Sequence, residues 1–370
     1  MKWNKLASIL LAGSMLLGVA GCSGSGQGAT PTPTPAGDND PAPEVSTPAN
    51  STAPSQQEGD PSEVKIGILI PGSPTDGGFS QQAAEAGKML QDKYGYQVSV
   101  VEAGTAETIK QEGETMAADG YKIVFGHGGQ CSTPLSEICE DYPDTWFVTF
   151  GGTEIRDNLF PVCMCAEEGT YVLGVVAGMM TKSNVIAYTL GGDYPAYTKT
   201  TTGWALGAKS VNPDIEVKSA VLSSPDANEC YETTMNQIKS GADLILSNSN
   251  EGQAGAMKAV SESDGVYTFG CLGDFFELAP GKVLLNIVGD YGVGYENATQ
   301  AIMAGTATPE IMYLTIDNGC VQVEWNEELK SSVPEEVVAA ADKAIEDIKS
   351  GAIDVPNEYE QDKAEEMLAG

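Results

Sequence analysis

Four aspartates occupy loops at the ends of predicted strands, where carboxylates could form an acid–base pair or bind a metal ion. They are Asp76, Asp193, Asp274 and Asp290. The chain carries 52 Asp and Glu residues against 19 Lys and Arg, and most carboxylates in so acidic a chain are solvated surface charge. On composition we interpret these four as surface charge, with Asp274 favoured for a ligand contact because its loop is flanked by glycine.

His127 is the single histidine of the chain and follows a predicted strand, within Gly126-His127-Gly128-Gly129. A histidine can act as a general base or a metal ligand, but one without companion ligands more often packs or hydrogen-bonds within a loop. The neighbouring glycines allow backbone N–H groups to approach a ligand closely. This loop therefore indicates a binding surface more than a catalytic centre.

The sequence has no HExxH motif, P-loop or convincing nucleophile elbow, so hydrolase and ATPase functions lack support. We predict that the chain is not an enzyme and that it holds neither a cofactor nor a metal ion. An enzymatic alternative stays open, because a fold does not dictate a function.

The net charge of −33 argues against nucleic acid as a partner, because phosphate neutralisation needs clustered Lys and Arg. Arg156 is the only arginine, and arginine is the residue that favours bidentate phosphate and carboxylate clamps. Lysines and helix N-termini remain available to an anion. The composition therefore favours an uncharged ligand.

An odd number of cysteines follows Cys22, namely Cys131, Cys139, Cys163, Cys165, Cys230, Cys271 and Cys320. An odd number cannot pair completely within one chain, and no CxxC motif supports a zinc or redox site. We predict buried free thiols, with a disulfide as the alternative.

Stepwise alternation of strands and helices predicts an α/β protein with parallel sheets. Residues 64–70 form an apolar strand covered on both faces, a glycine-rich and proline-rich loop follows, and residues 79–90 have helical spacing. Because open parallel sheets bind ligands at the carboxyl ends of their strands, we expect a small molecule at this loop. The pattern begins again near residue 184, so the chain has two similar halves with a ligand cleft between them.

The predicted first lobe comprises about residues 64–165 and 281–325, and the second comprises 166–280 and 326–356. A late hairpin is predicted over residues 312–325, about an Asn-Gly turn. The last amphipathic helix ends near residue 349, and we expect the tail after it to fray.

Two lysines precede an apolar run over residues 6–20 that ends in Val-Ala-Gly-Cys22. This pattern predicts a secretion signal over residues 1–21, with an uncleaved membrane anchor as the alternative. The Val-Ala-Gly-Cys end resembles a bacterial lipobox, which implies that Cys22 is the lipidated N-terminus. Residues 22–63 are rich in Pro, Ser, Thr and Gly and predict a disordered tether. The expected location is the extracellular face of the bacterial cell membrane, through the lipid anchor.

Residues 167–183, EEGTYVLGVVAGMMTKS, predict an apolar helix whose small residues permit close packing against a neighbour. This segment resembles the acidic-Gly-(Ser/Thr)-Tyr-Leu-x-Gly-x-x-Ala stretch of the basic membrane protein (BMP) family, whose members include purine-nucleoside-binding lipoproteins of ABC importers. Further matching segments are Tyr142-Pro143-Asp144, Gly191-Gly192, Gly203-Trp204-Ala205-Leu206-Gly207-Ala208, Gly241-Ala242-Asp243 and Lys349-Ser350-Gly351. The resemblance covers residues 64–356.

The resemblance implies a type I periplasmic-binding fold, in which two doubly wound parallel-sheet lobes close on a nucleoside. In such receptors aromatic rings stack on the base, and polar residues hold the ribose. Phe79 matches the family's Asp-x-(Ser/Gly)-Phe motif, present here as Asp76-Gly77-Gly78-Phe79. The candidates for the opposite face of the base are Trp204, Tyr194 and Tyr197.

Several positions depart from the family pattern. The family's Gly-x-Gly-Phe loop is here Gly126-His127-Gly128-Gly129, and Thr133 stands where an acidic residue is expected. The family has an aspartate-rich loop after a late strand, and the corresponding residues 270–274 keep one carboxylate, Asp274. Gly289, followed by Asp290, replaces the lysine that lies near the ribose in the nucleoside receptors. A free base, another planar metabolite or a sugar-like ligand therefore remains open.

We interpret the chain as a lipid-anchored, monomeric solute-binding receptor of an ABC importer, which captures a purine nucleoside or a related uncharged ligand for permease subunits. Lobe closure would follow from ligand contacts with both lobes. A signalling receptor without transport and an enzyme acting on a nucleoside or sugar are the alternatives. The predicted ligand-binding residues are Asp76, Phe79, Gly126, His127, Gly128, Thr133, Tyr197, Trp204, Asp274 and Asp290.

Overall fold

The computed structural model describes residues 60–75 and 79–369. The predictions for the signal, Cys22, residues 22–59 of the tether and Asp76 lie outside these residues. The end of the predicted tether, Pro61–Glu63, forms a short 3-10 helix capped by Asp60. The β-strands are β1 (Lys65–Ile70), β2 (Gln97–Glu102), β3 (Ile123–Gly126), β4 (Trp146–Phe150), β5 (Leu159–Met164), β6 (Val185–Leu190), β7 (Glu216–Val221), β8 (Leu244–Asn248), β9 (Tyr267–Cys271), β10 (Val283–Gly289), β11 (Met312–Leu314) and β12 (Val321–Trp325).

The α-helices lie between these strands and at the end of the chain. They are α1 (Phe79–Tyr94), α2 (Ala106–Ala118), α3 (Ser132–Ser136), α4 (Ala166–Met180), α5 (Pro195–Val211), α6 (Ala227–Lys239), α7 (Gln253–Ser261), α8 (Tyr291–Met303), α9 (Glu327–Lys330), α10 (Glu335–Lys349) and α11 (Gln361–Ala369). Short 3-10 helices occur at Pro61–Glu63, Gly129–Cys131, Cys139–Asp141 and Asn250–Gly252.

The strands form two six-stranded sheets, one per lobe, in the orders β11-β5-β4-β3-β1-β2 and β12-β10-β9-β8-β6-β7. Neighbouring strands of the first sheet are parallel. In the second sheet β12 alone is antiparallel to its neighbour, β10. The predicted fold class, two doubly wound α/β lobes, is confirmed.

Strand β1 shows why the sequence folds in this way. It pairs in parallel with β2 on one side and β3 on the other, and its residues 66–70 are buried. A strand covered on both faces needs apolar side chains at successive positions, which the sequence Ile-Gly-Ile-Leu-Ile supplies apart from one glycine. Strand β1 and helix α1, which begins at Phe79, agree with the strand and the helix of the predicted unit.

Helices α4 and α5 touch through their backbones. A Cβ added at Gly207 would lie 2.0 Å from the carbonyl oxygen of Tyr171, and one at Gly174 would lie 2.2 Å from that of Trp204. Thr170 Oγ1 also donates a hydrogen bond of 2.7 Å to the Thr200 carbonyl across the same interface. The prediction that small residues in residues 167–183 permit close helix packing is confirmed.

The chain passes between the lobes after β5, β10 and β11. Hydrogen bonds join these crossings to one another: the Cys165 N–H donates to the Leu314 carbonyl at 2.8 Å, and the Asp290 N–H donates to the Cys320 carbonyl at 2.8 Å. The Glu168 carboxylate accepts a hydrogen bond of 2.7 Å from the Ile316 N–H. The crossings therefore form one hydrogen-bonded connection between the lobes.

The predicted hairpin over residues 312–325 is wrong. Strand β11 pairs with β5 in the first sheet, whereas β12 pairs with β10 in the second, so the turn between them is a crossing. An Asn-Gly signal shows that the chain turns and does not specify the partner of either flanking strand. For the same reason β10 and β12, which we had placed in the first lobe with residues 281–325, belong to the second sheet.

The predicted fraying of the C-terminal tail is also wrong. Residues 361–369 form α11, whose Ala364 is buried, and Lys209 Nζ donates to the Leu368 carbonyl at 3.1 Å. The seven cysteines in the described part of the chain are buried and free, as predicted. Among the described helices, none has both the length and the apolar character that crossing a bilayer requires.

Gly207→Ala tests the contact between α4 and α5. In a solvent-exposed helix, replacing glycine with alanine would raise the free energy of unfolding by about 1 kcal/mol. Here the new methyl group meets the Tyr171 carbonyl, so the helices must separate and the free energy of unfolding should fall by about 1–3 kcal/mol. Denaturant unfolding measures this difference.

Gly292→Ala in α8 is the matched control, because a methyl group there lies no closer than 3.0 Å to its nearest neighbour, the Asp290 carboxylate. An equal or higher stability for Gly207→Ala would contradict the proposed backbone contact.

Candidate ligand-binding site

A cavity of about 1730 Å³ lies between the lobes, at the carboxyl ends of strands from both sheets. Phe150 at the end of β4 lines it from the first lobe, and Asn248 and Cys271 at the ends of β8 and β9 line it from the second. Pro71 and Gly72, directly after β1, also line it, as predicted for the loop of the opening unit. The arrangement places ligand contacts from both lobes around one space.

Phe79 presents an aromatic ring from the first lobe, and His127 supports it from behind. The two rings are stacked, with centroids 3.8 Å apart and planes inclined by 26°. His127 Nε2 lies 2.8 Å from the Phe79 carbonyl, which can only accept, so Nε2 carries the proton and donates. The Tyr295 hydroxyl lies 3.0 Å from His127 Nδ1 and donates to it. His127 is 0% exposed, and its stacking and hydrogen bond with Phe79 fix the position of that residue.

Tyr291 closes the aromatic wall of the first lobe. Its ring meets Phe79 edge-on at 5.6 Å and Phe150 at 5.8 Å between centroids. Burial raises the pKa of the Tyr291 hydroxyl to about 12, so this group is a neutral donor and acceptor at physiological pH. Neither Tyr291 nor Phe150 had been predicted, because nothing in the local sequence distinguishes them from core aromatics.

The second lobe offers Tyr194 and Tyr197, whose ring centroids are 6.2 Å apart. Both line the cavity, and Tyr194 is 64% exposed. Trp204, the third candidate for the opposite face, is 0% exposed and packs edge-on against Phe269 at 5.1 Å. Its backbone carbonyl faces Gly174 of α4, and its ring is not part of the cavity wall.

Polar groups complete the wall of the second lobe. The Asp274 carboxylate accepts hydrogen bonds from the Phe276 N–H at 3.1 Å and from Asn286 Nδ2 at 3.0 Å. Gln253 exchanges hydrogen bonds with the backbone of Cys271 and so fixes the end of β9. On the first lobe, Gln82 Oε1 is buried without a hydrogen-bond partner among the described residues. These side chains can hold an uncharged, hydrogen-bonding molecule.

Lys199 lies at the junction of the lobes and the C-terminal segment. Its Nζ donates to the Met164 carbonyl at 2.6 Å, forms an ion pair with Glu358 at 2.9 Å and lies 3.7 Å from a Glu167 carboxylate oxygen. Met164 ends β5 where the chain passes to the second lobe. We call Glu167, Lys199 and Glu358 the Lys199 cluster.

Burial and charge act in opposite directions within the Lys199 cluster. Burial alone would lower the pKa of Lys199, but the attraction of Glu167 and Glu358 raises it well above its ordinary value. Burial raises the pKa of Glu167 to about 7, against a smaller opposing effect of Lys199. Both carboxylate oxygens of Glu167 are buried without a hydrogen-bond partner among the described residues. Lys199 is therefore a fixed positive charge, and Glu167 titrates near neutral pH.

Sequence reasoning missed Lys199 and Glu358 for identifiable reasons. Lys199 lies in α5, which begins at Pro195, and a proline in the first helical turn was an available signal for placing Lys199 on a helix. Glu358 lies in the tail that we had expected to fray.

The other predicted residues divide into two groups. Phe79, Gly128, Tyr197 and Asp274 line the cavity, and Gly128 has a φ of 124°. Gly126 packs under Cys131, Thr133 is an exposed residue of α3, and Asp290 caps α8 by accepting from the Val293 N–H at 3.2 Å. The residues of the second group are not part of the cavity wall.

Comparison with known proteins identifies the family. A model of the Bmp family, described as ABC transporter substrate-binding protein PnrA-like, matches residues 63–359. The chain belongs to this family. ABC transporter substrate-binding proteins are extracytoplasmic, bind small molecules and interact with permease subunits. The predicted family is confirmed.

Two curated proteins illustrate the range of relatives. A purine-binding protein of Brucella abortus is 27% identical over 79% of this chain and 82% of its own length. A putative ABC transporter glucose-binding protein of Haloferax volcanii is 24% identical over 74% of this chain and 70% of its own length.

A solved structure confirms the fold. An ABC transporter solute-binding protein from Conexibacter woesei superposes with a TM-score of 0.65 at 24% identity, covering 80% of this chain and 99% of that one. Such structural neighbours are periplasmic solute-binding proteins, as expected of the type I fold.

Glu167→Gln tests the burial of the Lys199 cluster. The folded-state pKa of Glu167, about 7, exceeds the ordinary value of 4.5. A group with a raised folded-state pKa stabilises the fold fully below its unfolded pKa, and this contribution is lost as the pH rises through the folded pKa. From about pH 4.5 to about pH 7, wild type should therefore lose up to about 3 kcal/mol of stability relative to Glu167→Gln.

Unfolding curves recorded across this pH range measure the difference. Glu366→Gln, on the exposed face of α11, should follow the wild type. If wild type and Glu167→Gln have parallel pH profiles, the Glu167 carboxyl is not held in the environment described.

Proposed function

We propose that this chain is a lipid-anchored receptor of an ABC importer that captures a purine nucleoside between its lobes. The main support is the position of two aromatic groups at one cavity: Phe79, braced by His127 on the first lobe, and Tyr197 on the second. A planar, uncharged base is the kind of ligand that aromatic stacking favours.

The polar groups of the cavity suit the remaining parts of a nucleoside. The Asp274 carboxylate can accept hydrogen bonds from ribose hydroxyls, and the buried Gln82 amide oxygen can accept a hydrogen bond from a base N–H. The purine-binding protein of Brucella abortus, a relative over most of the chain, supports the same ligand class.

The proposed mechanism is closure of the lobes around the ligand. The cavity of about 1730 Å³ exceeds the roughly 300–1,000 Å³ of common small-molecule pockets. A single nucleoside fills only part of it, so both walls reach the ligand only when the lobes approach. The ligand then stabilises the closed state by its greater affinity for that state.

Lipid attachment at Cys22 would place the receptor at the outer face of the cell membrane. The support is the Val-Ala-Gly-Cys22 sequence after an apolar run, followed by a tether rich in Pro, Ser, Thr and Gly. A lipidated N-terminus and a tether of this composition would keep the binding lobes near the permease.

A hexose is the second candidate ligand. The relative from Haloferax volcanii is named a putative glucose-binding protein, and Gly289 stands where the nucleoside receptors have a lysine. An aromatic wall with carboxylate and amide acceptors would also hold a sugar ring.

Thermal unfolding of the full-length protein with added ligands tests the proposal, because binding to the folded state raises the melting temperature. Inosine, guanosine or adenosine should stabilise the wild type. Phe79→Ala should weaken nucleoside affinity by about 10- to 100-fold, since stacking contributes roughly 1–3 kcal/mol per base.

Tyr313→Ala provides the matched control, because Tyr313 is a partly exposed aromatic of β11 outside the cavity wall. Stabilisation by glucose and by no nucleoside would replace the proposed ligand with a hexose. Equal nucleoside affinity in wild type and Phe79→Ala would refute the proposed base contact.

A further inference from the structure

The C-terminal segment, residues 357–362, forms part of the cavity wall. Glu358, Tyr359 and the three residues that follow line the cavity. The Tyr359 hydroxyl donates a hydrogen bond of 2.8 Å to the Gly152 carbonyl on the first lobe. Glu358 meanwhile pairs with Lys199 on the second lobe. The segment therefore contacts both lobes at the ligand site.

The Glu358–Lys199 ion pair is almost completely removed from solvent. The side chains of Lys199 and Glu358 are 6% and 8% exposed, and their charged atoms are 2.9 Å apart. A buried carboxylate left without its partner is strongly unfavourable. A ligand that takes Lys199 away from Glu358 must therefore overcome the cost of leaving Glu358 unpaired.

Lys199 is also the one cationic side chain on the described cavity wall. The other charged groups on that wall are carboxylates, namely Glu251, Asp274, Glu358, Glu360 and Asp362. Arg156, the only arginine, pairs instead with Glu154 at 2.7 Å on the surface. An anionic ligand thus has a single basic partner in the described cavity, and that partner is occupied.

We propose that Glu358 sets the charge selectivity of the cavity: by pairing with Lys199 from the C-terminal segment, it makes the site select uncharged ligands over anionic ones. Phosphorylated or carboxylated forms of a ligand are excluded, while the neutral form binds. This inference rests on the proposed function, because it defines the ligand class of the same cavity.

Glu358→Gln in the full-length protein tests the inference. The substitution keeps the size of the side chain and removes its charge, so Lys199 keeps Glu167 and the Met164 carbonyl as partners while its contact with Glu358 becomes available to an anion. Calorimetric titration compares inosine with inosine 5′-monophosphate, and glucose with glucuronate; inorganic phosphate is the small anionic probe. Affinity for an anionic probe should rise on the order of tenfold, as expected for one charge-assisted contact, while affinity for its neutral partner changes little.

Two further variants separate local pairing from general charge. The double variant Glu358→Gln/Lys199→Met should lose the gain, since the freed ammonium is absent. Glu365→Gln removes one negative charge from an exposed position of α11 and should behave as wild type toward anions. Thermal unfolding of each variant verifies that it is folded.

The outcomes separate this inference from the proposed function. If nucleosides fail to bind any variant, the proposed ligand is wrong, and the glucose pair and phosphate still decide the charge selectivity. The inference is supported if Glu358→Gln binds any anionic probe more tightly than wild type does and the double variant Glu358→Gln/Lys199→Met does not. It is overturned if Glu358→Gln gains affinity for none of the anionic probes, or if wild type binds an anionic probe as tightly as its neutral partner.

Discussion

The ligand site depends on the backbone contact between α4 and α5. Glycines at this interface leave space for the opposite helix, so carbonyl groups of one helix lie where a side chain of the other would be. The contact brings Glu167, in the first turn of α4, next to Lys199, in the second turn of α5. A larger residue at Gly203 would meet the Glu167 carbonyl and displace both ends of the ion pair.

The Lys199 cluster then connects three parts of the molecule that are distant in sequence. Lys199 holds the Met164 carbonyl at the crossing from the first lobe, Glu167 at the start of α4, and Glu358 from the C-terminal segment. Buried ion pairs add little net stability, but removal of one partner costs about 3–5 kcal/mol. The cluster is therefore better suited to fixing one geometry at the lobe junction than to stabilising the fold.

Much of the fold could be predicted because its signals are local. The apolar run of β1, the helical spacing of α1 and the small residues of α4 each specify their own structure, and the succession of strands and helices specifies a doubly wound sheet. The partners of β11 and β12 could not be predicted, since a turn signal between two strands is compatible with pairing in one sheet or in two. That choice is made by tertiary packing.

The binding site was less predictable because it combines distant segments. Phe79 follows two glycines in the sequence and begins α1, Asp274 follows Gly273, and both reach the cavity. Trp204 has the chemistry of a ligand-stacking residue, but its ring is buried against Phe269 of β9, and only the tertiary packing determines this. Glu358 had no local signal at all, because its role depends on Lys199 and on the path of the tail across both lobes.

Under the proposed mechanism, a ligand held between Phe79 and Tyr197 draws the lobes together. Small-angle X-ray scattering of the full-length protein, with and without saturating inosine, measures this directly through the radius of gyration. The radius of gyration should be smaller with inosine and should not change for Phe79→Ala at the same inosine concentration. An unchanged radius of gyration in wild type, when calorimetry shows that inosine is bound, would contradict the proposed mechanism.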